Sequence, residues 1–206
     1  MKMPASSKNN KKPHNQALKD PVFEEQNIFR KILNAMANPG TIEELKTTAM
    51  FSGKLNPASL AICLTLLDFE TKLWIDKKYN VEMLNFLKLH CGTKIVQDSL
   101  KADFALITGE IPSLDKFDKG SHSYPDKGIT IIVQVNGIHR PGPLVLKGPG
   151  IQTTEKLNIK GPTPNFWRER EKLGLIFPKG LDFLFTFEHQ LVALPRSTKV
   201  SFCDKV

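Results

Sequence analysis

A short stretch near the C-terminus, Pro-Arg-Ser-Thr at residues 195–198, combines side chains that can bind an anion. It follows an apolar run typical of a buried strand, and Pro195 ends that strand because proline has no N–H for a strand ladder. The guanidinium of Arg196, next to the hydroxyls of Ser197 and Thr198, can hold a phosphate or carboxylate through charge-assisted hydrogen bonds. The same four residues also suit an ordinary polar turn, so the sequence leaves both interpretations open.

Asp182 is a second candidate, because it stands at the start of the apolar run Phe-Leu-Phe. A carboxylate in such a place is either paired with a cation or hydrogen-bonded to backbone N–H groups. Arg196 is the expected partner, since the strand beginning at Asp182 and the strand ending before Arg196 are predicted neighbours. We favour a structural ion pair at a strand end, with anion binding as the alternative.

The signatures of common catalytic sites are missing from the sequence. It contains no GxSxG, HExxH, GxxxxGK[ST] or GxGxxG motif. The five histidines have no spacing that would place two on one helix face, which argues against a metal site. No lysine is marked out as a Schiff-base residue for pyridoxal phosphate, and LKGPGI (146–151) fits a plain turn better than a phosphate cradle. We therefore expect no catalytic residue, no cofactor and no metal.

The net charge of +8 is concentrated at the N-terminus: residues 1–20 hold five lysines and one aspartate, which is half of the excess. This segment is rich in Lys, Asn, Ser and Pro, so we expect a disordered basic leader, followed by a single domain over residues 21–206. A nucleic-acid-binding arm is the less favoured interpretation, because the leader has no arginine and no aromatic residue that could stack on bases.

The cysteine content and hydropathy predict a soluble cytoplasmic protein. The three cysteines are widely spaced without a CxxC pair, which indicates reduced thiols. No apolar run approaches the roughly 18 residues of a membrane span, and the first residues lack the apolar centre of a secretory signal. We expect no association with a membrane.

The elements that must position these residues alternate between helical and strand patterns. A helix capped by Asp20 and Pro21 carries the apolar stripe Phe29, Ile32, Leu33 and Met36. Three more helices are predicted, starting at residues 56–57, near 80 and at 163–164, and strands are predicted at 72–75, 94–96, 102–108, 129–135, 143–148, 155–159, 182–187 and 191–194. The runs 129–135 and 143–148 are expected to form a hairpin, as are the last two strands. The fold class is α/β, a mixed β-sheet with flanking helices.

Three segments in this order resemble the PhnH family of the bacterial carbon–phosphorus lyase system. They are FRKILNAMANPG (29–40), TIIVQV followed by LKGPGI (146–151), and FPKGLDFLFTFEHQLVALPRSTKV (177–200). The resemblance covers residues 22–203, and Arg30, Asp182 and Arg196 match motif positions of the family. The lysine-rich leader departs from the family pattern.

The resemblance implies a fold and a role that the residues alone do not give. The implied fold is a three-layer α/β fold similar to that of pyridoxal-phosphate-dependent transferases, without the cofactor or its lysine. The implied partners are PhnG, PhnI and PhnJ subunits of the carbon–phosphorus lyase core complex, with a homodimer in isolation. That assembly transfers an alkylphosphonate to ribose C1 of ATP or GTP and releases the purine, and its PhnJ subunit later cleaves the C–P bond.

Three functional hypotheses follow. The leading one is an accessory subunit of the phosphonate-processing complex, an alpha-D-ribose 1-methylphosphonate 5-triphosphate synthase, without a catalytic centre of its own. The second is a free-standing transferase with a nucleotide or phosphonate site. The third is a nucleic-acid binder that uses the basic leader.

Overall fold

The computed structural model describes residues 15–76 and 81–202. The described helices are α1 (Pro21–Ala37), α2 (Pro57–Leu66), α3 (Val81–Cys91) and α4 (Pro164–Leu173). The described strands are β1 (Glu43–Glu44), β2 (Lys72–Ile75), β3 (Lys94–Val96), β4 (Phe104–Ile107), β5 (Thr130–Gln134), β6 (Gly137–Lys147), β7 (Glu155–Lys160), β8 (Asp182–Phe187), β9 (Gln190–Leu194) and β10 (Lys199–Phe202). Within these ranges, no helix has the length and apolar character needed to cross a membrane.

Seven of the strands form one mixed sheet in the order β1-β9-β8-β5-β4-β2-β3. The central pairs β2/β3, β2/β4, β4/β5 and β5/β8 are parallel, whereas β9 pairs antiparallel with both β8 and β1. The predicted mixed sheet with flanking helices is therefore confirmed, as is the hairpin of β8 and β9.

Successive residues of the central strands pack into two separate cores, because side chains alternate between the faces of a sheet. Leu106 and Leu184 belong to the cluster formed with α1, α2 and α3. Phe183 and Phe185 belong to the cluster formed with α4, β6 and β7. We call the first side of the sheet the helical face and the second the opposite face.

The hairpin predicted from residues 129–135 and 143–148 is wrong. β5 pairs with β4 and β8 in the large sheet, whereas β6 pairs with β7 and β10 in a separate three-stranded sheet. The turn-forming residues between them redirect the chain from one sheet to the other. The Pro and Gly residues at 141–143 lie inside β6, where the pairing with β7 shifts register.

Helix α1 has the predicted N-cap: the Asp20 carboxylate accepts a hydrogen bond from the N–H of Phe23, and Pro21 follows it. Only part of the apolar stripe is buried, since Phe29 and Leu33 are 45% and 51% exposed. The helix instead buries the neighbouring face that contains Ile28, Ile32 and Ala35. An apolar stripe is thus left facing outward.

Most of the predicted leader lies outside the described residues, which begin at residue 15. Its last part contacts the body of the protein: Gln16 and Met50 exchange two backbone hydrogen bonds of 2.8 Å, and Leu18 is buried. The N–H of Lys19 donates to Thr48 Oγ1 at 2.9 Å. The chain thus contacts the domain several residues before the predicted boundary at residue 21.

Candidate functional site

Asp182 and Arg196 meet at the end of the large sheet where strand β8 begins and strand β9 ends. The antiparallel register pairs Phe183 with Leu194, which places the residues just beyond this pair side by side. The Asp182 carboxylate accepts hydrogen bonds from the backbone N–H of Arg196 at 2.7 Å and from Nε at 3.0 and 3.2 Å. Nη2 lies 2.5 Å from Asp182 Oδ2. The side chains of Asp182 and Arg196 are 13% and 15% exposed, so this is a largely buried ion pair.

The Arg196 guanidinium also holds the turn before β5. Nη1 donates to the carbonyl oxygen of Pro125, and Nη2 donates to that of Gly128 at 3.1 Å. Gly128 has no space for a side chain, because a Cβ atom there would lie 2.8 Å from Nη1. All three guanidinium nitrogens therefore donate within the chain. This geometry favours the structural ion pair over the anion-binding alternative.

Arg170, from α4, holds the Pro-Arg-Ser-Thr turn from the inside. Its Nη2 donates to the carbonyl oxygens of Pro195 at 2.7 Å and Thr198 at 3.1 Å. The residue is 1% exposed and lies over the ring of Phe183. Burial lowers the pKa of Arg170 to about 10, while the Asp182 carboxylate acts in the opposite direction. Arg170 therefore fixes the turn at the cost of burying a charge.

Sequence reasoning missed Arg170, although a signal was present. Arg170 follows Trp167 by three residues and precedes Leu173 by three, so it lies on the buried side of α4. Of the other candidates, Thr198 is fully buried and Ser197 is half-buried. The N–H of Thr198 donates to the carbonyl oxygen of Pro195 at 2.9 Å, which closes the turn.

Arg30 is not brought to this cluster. It lies on the exposed side of α1, on the helical face of the sheet. No hydrogen bond or ion pair joins it to the other four candidates within the described residues. The structure therefore divides the five candidate residues into a cluster of four and one separate surface residue.

The carboxyl ends of β2 and β4 carry a second polar pair that sequence reasoning missed. The buried carboxylate of Asp76 accepts hydrogen bonds from the N–H of Thr108 at 3.1 Å and from its hydroxyl at 3.2 Å. After β2 the chain continues to β3 on one side of this pair, and after β4 it continues to β5 on the other side. Ligands of open α/β sheets bind at such a switch point. A cavity of about 220 Å³ lies beside it, between residues 108–111, 133–136 and 161–163. A polar residue directly after each of two apolar runs was the available signal.

The described residues offer no obvious metal centre: in 15–76 and 81–202, no three His, Cys, Asp or Glu side chains are grouped so that they could hold a metal ion. The two described cysteines, Cys63 and Cys91, are both free and buried. Burial, with a smaller contribution from the Glu25 carboxylate, raises the pKa of Cys91 to about 12. Neither thiol is poised as a nucleophile.

Comparison with known proteins gives consistent matches over almost the whole chain. The profile of the family described as "Bacterial phosphonate metabolism protein (PhnH)" matches residues 16–201. The "Alpha-D-ribose 1-methylphosphonate 5-triphosphate synthase subunit PhnH" of Rhizobium meliloti (strain 1021) is 32% identical over 187 residues, 89% of this chain and 94% of the relative. The "Putative C-P lyase subunit protein HtxG" of Stutzerimonas stutzeri is 27% identical over 177 residues, 86% of each chain. The chain therefore belongs to the PhnH family of bacterial phosphonate metabolism proteins.

Proposed function

We propose that this chain is an accessory subunit of a carbon–phosphorus lyase core complex in organic phosphonate catabolism. In this role it supports the transfer of an alkylphosphonate to ribose C1 of ATP or GTP, with release of the purine, and has no catalytic centre of its own. The observation that carries the proposal is the end-to-end match to the Rhizobium meliloti relative, whose name states that it is a subunit of alpha-D-ribose 1-methylphosphonate 5-triphosphate synthase.

The chemistry of the candidate cluster supports an accessory role. Asp182 and Arg196 satisfy each other and the adjacent backbone, so neither is available as an acid, a base or an anion ligand. A residue that binds substrate needs unused hydrogen-bonding capacity facing a cavity. The Thr198 hydroxyl has no hydrogen-bond partner among the described residues, but Thr198 is fully buried. The Pro-Arg-Ser-Thr turn thus has the geometry of a structural clamp.

The outward stripe of α1 supports a role inside an assembly. Val22, Phe29 and Leu33 are 83%, 45% and 51% exposed, and their spacing of seven and four residues places them on one side of the helix. Exposed apolar side chains grouped on one side of a helix are typical of protein–protein contacts. We infer that this surface meets another subunit.

The remaining parts of the proposal follow from the family. The partners are PhnG, PhnI and PhnJ subunits, the chain alone is a homodimer, and the complex works in the cytoplasm. The domain from residue 21 onward has a fold similar to that of pyridoxal-phosphate-dependent transferases, without the cofactor. Residues 1–20 form a basic leader, whose last residues contact the domain.

Co-expression tests the proposal. The tagged chain is produced together with the neighbouring phosphonate genes of its source and purified, and we expect a stoichiometric multi-subunit particle. Replacing Phe29 and Leu33 by Ser weakens recovery of the partners. The matched control replaces Leu89 and Leu100, which are also exposed, and leaves recovery unchanged.

Two outcomes would contradict the proposal. One is a chain that purifies without partners although all the subunits are present. The other is a pure chain that consumes ATP and methylphosphonate unaided, which is the prediction of the free-standing transferase hypothesis.

A further inference from the structure

A cleft of about 500 Å³ lies on the opposite face of the large sheet, at the amino ends of β2 and β4. Its lining includes three lysines and two aspartates: Lys72, Lys101, Lys127, Asp103 and Asp118. The volume is within the roughly 300–1,000 Å³ typical of ligand clefts. We propose that this cleft binds a linear oligophosphate, either free or as the phosphate chain of a nucleotide. The proposal rests on the cleft alone and does not depend on the proposed function.

Strand register gathers the positive charge. Lys72 is two residues before Trp74, which packs on the opposite face, so both side chains lie on that side of β2. Lys94 is the direct neighbour of Lys72 in the parallel pairing of β2 with β3. The two ammonium groups repel each other across the strands, and a bound anion relieves that repulsion.

The lysines have few acidic partners within the described residues. Lys72 and Lys127 take part in no ion pair there, while Lys101 Nζ lies 3.9 Å from Asp98 in a pair whose side chains are 76% and 49% exposed. An exposed pair at this distance contributes little. Two ammonium groups of the cleft are thus unneutralised, and the third is weakly held.

The two aspartates of the cleft are fixed by the backbone. Asp103 Oδ2 accepts a hydrogen bond from the N–H of Lys72 at 2.8 Å, and Asp118 Oδ1 accepts one from the N–H of Gly120 at 2.8 Å. These bonds hold the loops that form the walls of the cleft. Three ammonium groups against two carboxylates leave the lining positive, which selects an anion.

The arrangement fits a chain of phosphates better than a single anionic group. Lysine ammonium groups act as point charges on flexible stems and bind phosphate oxygens without a fixed geometry. They come from three separate segments: Lys72 from β2, Lys101 after β3 and Lys127 before β5. A ligand that carries several negative charges along its length can place them near several of these lysines, whereas orthophosphate carries its charge on a single group.

The Asp182–Arg196 pair positions one of these lysines. Lys127 belongs to the turn whose carbonyl oxygens, those of Pro125 and Gly128, accept hydrogen bonds from Arg196. Its Nζ also lies 4.7 Å from the centre of the Tyr124 ring. Arg196 is therefore a positioning residue for the cleft and not a ligand contact.

Calorimetric titration of the full-length chain with inorganic triphosphate at low ionic strength tests the site. We expect saturable binding that weakens with added salt and is stronger than that of orthophosphate. Lys72→Gln and Lys127→Gln each weaken it roughly fivefold, the effect of one exposed ion pair worth about 1 kcal/mol. Lys88→Gln removes the same charge from an exposed position on α3 and leaves the affinity unchanged.

Nucleotides distinguish the two sources of the phosphate chain. If ATP and triphosphate bind equally and adenosine does not, the chain of phosphates is the whole ligand. If ATP binds more tightly and loses affinity in the lysine variants, the ligand is a nucleotide held by its phosphates. Absence of triphosphate binding, or an equal loss in Lys88→Gln, overturns the proposal. So does ATP binding that the Lys72 and Lys127 variants leave intact.

The positioning role of Arg196 has its own readout. At a temperature where both variants are folded by circular dichroism, Arg196→Ala weakens triphosphate binding as much as Lys127→Gln does, and the double variant shows no further loss. An unchanged affinity in folded Arg196→Ala contradicts the positioning role. Because the titration needs no partner subunit, its failure would leave the proposed subunit function untouched, and failure of co-expression would leave the cleft untouched.

Discussion

Removing the guanidinium of Arg196 should destabilise the protein far more than removing an exposed arginine. In Arg196→Ala, the Asp182 carboxylate keeps only the backbone N–H of residue 196 as a donor. The carbonyl oxygens of Pro125 and Gly128, in the turn before β5, lose their hydrogen bonds from the guanidinium. The carboxylate is then a largely buried charge without its direct ion-pair partner, and only the more distant charge of Arg170 remains near it. We expect the free energy of unfolding to fall as a result.

The magnitude follows from burial. Removing one partner of a buried ion pair costs about 3–5 kcal/mol, and because the two side chains retain 13% and 15% exposure, the lower end applies. A loss of about 3 kcal/mol corresponds to a fall in Tm of roughly 6–12 °C for a chain of this size. Asp182→Asn keeps the shape of the side chain and removes its charge, so we expect the free energy of unfolding to fall by a smaller amount, about 2 kcal/mol.

Urea unfolding of single and double variants isolates the pair. The double variant Asp182→Asn with Arg196→Ala should lose less than the sum of the two single losses, by about 1–3 kcal/mol. Arg30→Ala is the control: Arg30 is exposed on α1, and its loss should change stability by less than about 0.5 kcal/mol. A Tm of Arg196→Ala equal to that of Arg30→Ala, or strict additivity in the cycle, would refute the structural interpretation of the Pro-Arg-Ser-Thr turn.

Three further predictions concern the rest of the domain. Gly128→Ala places a Cβ 2.5 Å from the carbonyl oxygen of Gly180. We therefore expect the free energy of unfolding, measured in urea, to fall by about 2 kcal/mol. A variant as stable as the wild type would contradict this close approach. Burial raises the pKa of both the Cys63 and Cys91 thiols, that of Cys91 to about 12, so mass spectrometry should find them alkylated only after unfolding; modification of the native protein would show that they are accessible. Burial raises the pKa of Glu24, but hydrogen bonds from Thr48, including one of 2.6 Å, together with those from the backbone of Asp20 and Lys19, outweigh it and lower the pKa overall. The stabilisation by these hydrogen bonds is present above the ordinary carboxyl pKa and is lost as pH falls through the lowered value. Thr48→Val should therefore lower the free energy of unfolding by about 1 kcal/mol at neutral pH and by less in acid. A difference that does not change with pH would exclude a link to the ionisation of Glu24.

The parts of the fold that depend on local chemistry could be predicted. Asp20, Asn56 and Thr163 were each expected to begin a helix before a proline, and each accepts the capping hydrogen bond from the N–H three residues on. A cap is decided by residues adjacent in the chain, so no distant contact changes the outcome. The β8–β9 hairpin and its terminal ion pair were predictable for the same reason.

The parts that depend on distant partners could not. The period of α1 fits the stripe of Phe29 and Leu33 as well as that of Ile28 and Ile32, and only packing against the sheet decides which is buried. Turn residues between β5 and β6 fit a hairpin as well as a change of sheet. The lysine cleft has no local signature at all, since its residues come from segments that only the parallel register brings together.

The Pro-Arg-Ser-Thr turn is held on one side by Arg170 and on the other by its own Arg196, and this arrangement explains its composition. Pro195 ends β9, and its carbonyl oxygen accepts hydrogen bonds both from Arg170 and from the N–H of Thr198. Arg196 then extends away from the buried Arg170, toward Asp182 and the turn before β5. The buried guanidinium of Arg170 and the ion pair of Arg196 with Asp182 hold α4, the start of β8 and the turn before β5 against the Pro-Arg-Ser-Thr turn. These contacts lie at the amino end of the parallel strands. The residues that first suggested an anion site thus shape the surface beside the cleft for which we propose anion binding, and the unneutralised charge lies on the lysines of that cleft.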